Sequence, residues 1–193
     1  MPLKTIVKVG NITNLSDARY CAGMGVNMLG FPIDDGLQLH ISPQTYKEIS
    51  GWVSGVKLVG EIKDKIPEDY KVDFIQFSNF SMIKTVQGNN IPYIFSIDLE
   101  KQEFSDIREI SKYAKPEYYL LEIPEGYEMS EIKELASFLN APILLGYCKS
   151  TDDADKYINA ESNGIALLGS YENKPGFKDY DQIADVLEYL DAE

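Results

Sequence analysis

Apolar residues gather in eight short runs rich in β-branched and aromatic side chains: TIVKVG, NMLGFPI, VKLVGEI, DFIQFS, YIFSIDL, YYLLEI, PILLGYC and GIALLGS. Amphipathic segments with helix punctuation separate most of them, the alternation expected of βαβ units on a parallel sheet. Asn14 is placed to cap a first helix, with Asp17 three residues on, and Ser42-Pro43 reads as an N-cap followed by proline at the first helical position. Phe104, Ile107, Ile110 and Tyr113 recur every three residues, and Ile132, Leu135, Ala136 and Leu139 follow a three-and-four spacing, so each set predicts one apolar face against the sheet. Further helices are predicted over 151–160 and 180–190. Two crossovers are thin. Only about ten residues, Pro67 among them, join the third run to the fourth, and Ser81 to Gln87 leaves room for a short helix alone.

Eight such units either close as a barrel or stay open as a doubly wound sheet, and periodicity does not choose between them. No GxGxxG or Walker loop follows the first strand. If closed, eight units in 193 residues would make a compact α/β (β/α)8 TIM barrel with shortened third and fourth crossovers; either way the chain reads as one domain over residues 1–193.

Composition narrows the partners. With 44% hydrophobic and 25% charged residues the chain is an ordinary globular sequence, and no apolar stretch approaches the roughly 18 residues that span a bilayer. The absence of a secretory-type start favours the cytoplasm. A formal net charge of -13, with no Lys/Arg cluster to offset it, disfavours nucleic acid. Cys21 and Cys148 lie far apart and form no CxxC or Cys/His pattern, so neither a disulfide framework nor a metal site is expected.

Several stretches resemble the phosphoribosylanthranilate isomerase family of tryptophan biosynthesis over nearly the whole chain. KVGNITNLSDA at 8–18 stands where that family has KICGIT and N-x-x-D-A; LGF at 29–31 and KLVG at 57–60 match; LLE at 120–122 stands for LLD, and PGFKD at 175–179 for PGKKD. The resemblance implies a barrel of the ribulose-phosphate-binding type and a cofactor-free Amadori rearrangement of a phosphorylated aminoaldose. An acid protonates the ring oxygen and a base removes the C2 proton. In the family these are the aspartate of LLD and the cysteine of KICG, which fall here on Glu122 and Gly10. Glycine offers no basic side chain, a loss of about 100-fold to 10,000-fold, and Glu122 reaches one methylene further.

The family's anthranilate-holding arginine is replaced within GLQLHIS by Leu39 or Gln38, which cannot pair with a carboxylate. Its GGTG loop becomes PEGYEMS, keeping only Gly126. Its phosphate site, built from the loops after strands seven and eight and a short extra helix, implies roles for Gly146, Gly169 and Ser170.

Individual residues carry competing readings. Glu122 is a residual acid or a solvated mouth carboxylate; Cys148 a substitute nucleophile or base, or a buried inert thiol. Lys8 shares the inward parity of Gly10, and with Glu61 it forms an internal pair or a ligand contact. Asn11 is placed at the pocket edge. His40, the sole histidine, is a loop residue, and the doublets Asp34-Asp35 and Asp152-Asp153 read as solvated charge. Three functions remain open: a barrel binding a phosphorylated small molecule without the standard isomerase machinery, a weak phosphosugar isomerase using Glu122, and a non-catalytic acidic interaction module. Enzymatic activity and oligomeric state stay undecided at this level.

Overall fold

The computed structural model describes residues 2–160, 162–169, 172–174, 177–178 and 181–192. All eight apolar runs form parallel strands: β1 (Ile6–Gly10), β2 (Met28–Pro32), β3 (Lys57–Glu61), β4 (Phe74–Phe77), β5 (Tyr93–Asp98), β6 (Tyr118–Glu122), β7 (Ile143–Gly146) and β8 (Gly164–Leu168). They follow one another around a closed barrel, sealed where β1 pairs β8 from Ile6 opposite Gly164 to Gly10 opposite Leu168. A strand in such a barrel is covered on both faces, which is why its sequence is a nearly unbroken apolar run.

The inward face carries Met28, Val59, Ile94, Leu120, Leu144 and Ala166, all buried. The opposite parity, including Val7, Leu29, Phe95, Tyr119 and Leu145, packs under the surrounding helices in a second, larger core. Each fully buried aliphatic or aromatic side chain contributes about 1.5–3 kcal/mol.

The helices are α1 (Leu15–Gly23), α2 (Pro43–Ser50), α3 (Ile83–Gly88), α4 (Phe104–Tyr113), α5 (Met129–Phe138), α6 (Thr151–Asn159) and α7 (Asp181–Leu190). Asn14 Oδ1 accepts from Asp17 N at 2.9 Å, and Ser42 Oγ accepts from Thr45 N at 3.1 Å with Pro43 in the first turn. Each cap is worth about 1 kcal/mol. Ile107 and Ile110 of α4 are buried, whereas Tyr113 is 55% exposed and meets Phe80 edge-on. In α5 Ile132 and Leu135 are buried and Ala136 faces solvent, so the apolar stripes are narrower than the spacing predicts.

Both thin crossovers are as short as expected. Residues 62–73 contain no helix, and a 3-10 turn (Phe80–Met82) leads into the short α3. Without a helix, the amides after β3 need another acceptor, and Asp34 provides it. Its Oδ2 accepts from the backbone of Lys63 at 2.9 Å, Asp64 at 2.8 Å and Lys65 at 3.0 Å, and its Oδ1 from Gly36 at 2.9 Å. The expectation of solvated charge is therefore corrected for Asp34, which is buried; Asp35 is exposed and faces Lys65 at 3.3 Å. Burial alone would raise the Asp34 pKa, but the four N–H donors outweigh it and hold the carboxyl well below its usual range.

The connection after β8 contains an antiparallel ribbon, β9 (Glu172–Lys174) with β10 (Phe177–Lys178). No described helix is long and apolar enough to cross a membrane.

Candidate functional site

In a barrel of this kind the strand C-termini present their last inward side chains to one opening, where the chemistry of the fold resides. Here that ring holds Gly10, Glu61, Gln76, Ser96, Glu122 and Leu168. A cavity of about 230 Å³ opens over it, lined by Asn11, Leu37, Glu61, Gln76, Ser96, Glu122, Tyr147 and Leu168 among others.

On the β1–β3 side the polar atoms are paired. Lys8, fully buried, donates to Glu61 Oε1 at 2.7 Å, and the Asn11 amide donates to Glu61 Oε2 at 3.0 Å. Asn11 takes a left-handed backbone (φ 55°), a conformation asparagine tolerates better than most residues, and this turns its N–H onto the carboxylate. Two glycines make room for the pair. A Cβ at Gly10 would lie 2.5 Å from Glu61 Oε1 and 3.1 Å from Lys8 Nζ, and one at Gly30 would meet the same atoms more closely still. The Glu61 carboxylate therefore occupies the space that a side chain at position 10 would need.

Across the cavity, Gln76 and Ser96 are buried, yet Gln76 Oε1 and Ser96 Oγ have no hydrogen-bond partner among the described residues. Buried polar atoms are rarely left so. Glu122, half-buried at the end of β6, has its pKa raised first by burial and then by the neighbouring Asp98 carboxylate; Lys101 and Lys8 oppose this, while Glu61 adds to it. Tyr147 stands between this cavity and a second one, and its phenol is pushed strongly upward by burial, then by Glu122 and Glu61, against a hydrogen bond from Gln76. It is a neutral hydroxyl at neutral pH.

The second cavity, about 420 Å³, lies along the loops after β6 and β7 and is lined by Tyr127, Tyr147, Lys149, Asp153, Lys156 and Tyr157 among others. No group of three or more His, Cys, Asp or Glu among the described residues could hold a metal ion.

The remaining candidates separate. Leu37, not Leu39, is the residue of its loop that lines the mouth cavity. Cys148 is buried, its Sγ donates to Ser150 O at 3.3 Å, and burial pushes its thiol up to about 12, which suits an inert side chain. The Gly146 carbonyl accepts from Ile123 N, and the Gly169 amide donates to Gly10 O at 2.7 Å, helping to close the barrel rather than pointing free at an anion. Ser170 lies outside the described residues. His40 meets the Tyr70 hydroxyl at 3.2 Å in the loop after β2. Gln76, Ser96 and Tyr147 escaped the sequence reading. The usable signal was a lone polar residue at inward parity in DFIQFS and in YIFSIDL.

No family model matches the chain. N-(5'-phosphoribosyl)anthranilate isomerase of Petrotoga mobilis is 25% identical over 202 residues, spanning 96% of this chain and 97% of its own. Phosphoribosylanthranilate isomerase of Thermotoga maritima has a similar structure, with TM-score 0.78 at 20% identity and coverage of 96% and 98%. A phosphoribosylanthranilate isomerase in complex with reduced 1-(o-carboxyphenylamino)-1-deoxyribulose 5-phosphate is similar to the same degree, with TM-score 0.78, 20% identity and coverage of 96% and 98%. Along nearly its whole length the chain is thus similar in sequence to a phosphoribosylanthranilate isomerase and shares the (β/α)8 barrel of the solved ones.

Proposed function

We propose that this barrel binds a phosphorylated sugar or a close derivative at its C-terminal mouth, and that it has lost the standard isomerase constellation of its family. The observation that carries this reading is the pair of unpartnered buried atoms, Gln76 Oε1 and Ser96 Oγ, beside two carboxylates in one cavity. A polyhydroxylated ligand supplies donors and acceptors that satisfy such atoms, whereas an apolar one leaves them stranded. The phosphorylated compound bound by the structural relative supports the same ligand class. With the Gly169 amide engaged, Lys149 and Lys156 of the adjoining cavity, beyond Tyr147, are cationic groups that suit a phosphoryl group. Gly10 in place of the base, and Leu39 or Gln38 in place of the arginine, argue against ordinary turnover of phosphoribosylanthranilate. A cytoplasmic setting fits a metabolite ligand of this kind.

Thermal unfolding with ribose 5-phosphate, ribose and inorganic phosphate tests the reading. A ligand that prefers the folded state adds about 2.7 kcal/mol at 100 times its Kd. Ribose 5-phosphate is expected to raise Tm well beyond either fragment at equal concentration. No shift with any of the three overturns the proposal, and growth of a tryptophan auxotroph at ordinary expression overturns the loss of standard activity.

A further inference from the structure

We propose that Glu61, brought by β3 into the space vacated at position 10, serves as the proton acceptor of a rebuilt aldose-ketose isomerase site whose proton donor is Glu122. This rests on the phosphosugar reading above and deepens it. Three observations converge on Glu61. Its Oε1 lies 2.5 Å from where a Cβ on Gly10 would sit, so its carboxylate reaches the region served by a side chain ending β1. It lines the same 230 Å³ cavity as Glu122. Its two oxygens each accept one hydrogen bond, from Lys8 and from the Asn11 amide, which leaves each oxygen a further acceptor position.

The two carboxyl groups stand in different surroundings. Glu61 is paired with the fully buried Lys8 at 2.7 Å and with the Asn11 amide, whereas Glu122 has no such partner among the described residues and is pushed toward its protonated form by burial and by the Asp98 carboxylate. A pair whose environments differ in this way divides into base and acid. Lys8 is a positioning residue: it fixes Oε1, and Gly10 and Gly30 leave the space for both side chains.

The step closes on itself. Glu122 gives its proton to the ring oxygen as the C1–O bond breaks with its electron pair, leaving C1 doubly bonded to its own oxygen or nitrogen substituent. Glu61 takes the C2 proton, and the C–H electron pair becomes the C1–C2 double bond while the pair of the C1 double bond returns to the substituent. The C2 hydroxyl then gives its proton to Glu122, Glu61 returns its proton to C1, and the ketose forms with both carboxyl groups restored. No oxidant or cofactor is consumed.

The test follows ribose 5-phosphate in deuterium oxide by NMR, reading deuterium at C2 and the appearance of the ketose, with the Kd measured by calorimetry. The wild type is expected to exchange C2. Glu61→Gln is expected to exchange at least about 100-fold more slowly with Kd within about threefold. Glu61→Asp keeps the charge facing Lys8 but withdraws the carboxylate from the Gly10 space, so a folded variant with a rate depressed by about 100-fold is expected. Exchange undiminished in a folded Glu61→Asp or Glu61→Gln, or wild type that binds without exchanging, overturns the assignment. Wild type that fails to bind removes the phosphosugar reading itself, an outcome distinct from the other two.

Discussion

The two sides of the barrel mouth differ in how their polar atoms are satisfied. On the β1–β3 side, Lys8, Glu61, Asn11 and Asp34 bond to one another or to loop amides, and two glycines are cut away to let them fit. On the β4–β6 side, Gln76 and Ser96 are equally buried and present unpartnered atoms, with the pKa of Glu122 raised beside them. An unmet hydrogen bond in a buried place costs about 1–3 kcal/mol, a cost a fold retains where a ligand can offset it. The contrast separates a side whose polar groups, Glu61 among them, are already fixed in place by the fold from a side that leaves atoms for a visitor to satisfy.

The contrast breaks most sharply at Lys8. Lys8→Met leaves the Glu61 carboxylate without its buried partner and is expected to destabilise by about 3–5 kcal/mol in urea unfolding; a loss below about 1 kcal/mol means the pair is not a structural strut. Asp34→Asn should cost about 1.5–3 kcal/mol at neutral pH, since an amide cannot accept all four N–H bonds. Because the Asp34 pKa is lowered in the fold, its contribution is present above the ordinary value of 3.8 and disappears as pH falls through the lowered value. The deficit of Asp34→Asn measured at pH 7 should therefore shrink in strong acid, and a deficit independent of pH contradicts the assignment.

Glu122 has the opposite sign and the smaller effect. Its pKa is raised above 4.5, so whatever stability its protonated form contributes is present below 4.5 and lost as pH rises through the raised value. Glu122→Gln should thus gain Tm relative to wild type at pH 7 compared with pH 4, and an equal difference at both pH values places Glu122 in open solvent.

The strands were legible because a doubly covered strand writes its burial as a run of apolar residues, and the first two helices because Asn14 and Ser42 announce their starts. The Lys8–Glu61 pair was legible from strand parity. Asp34 was not, since its partner amides lie 29–31 residues further on and are brought to it only by two loops meeting. Gln76 and Ser96 were hidden for a related reason. A single polar residue in an apolar run says nothing of which level of the barrel it reaches until the register from β3 through β6 is fixed. Gly169 shows the limit of motif matching: its place in the sequence suggests an anion contact, and its amide closes the barrel instead.

The central claim is that the unpaired side of the mouth exists to hold a phosphorylated sugar, and a calorimetric titration of ribose 5-phosphate into wild type and a Gln76→Leu/Ser96→Ala double variant tests it most directly. The account predicts a double variant as stable as wild type to within about 1 kcal/mol, yet binding about tenfold or more weakly. Equal affinity in the two proteins would contradict it.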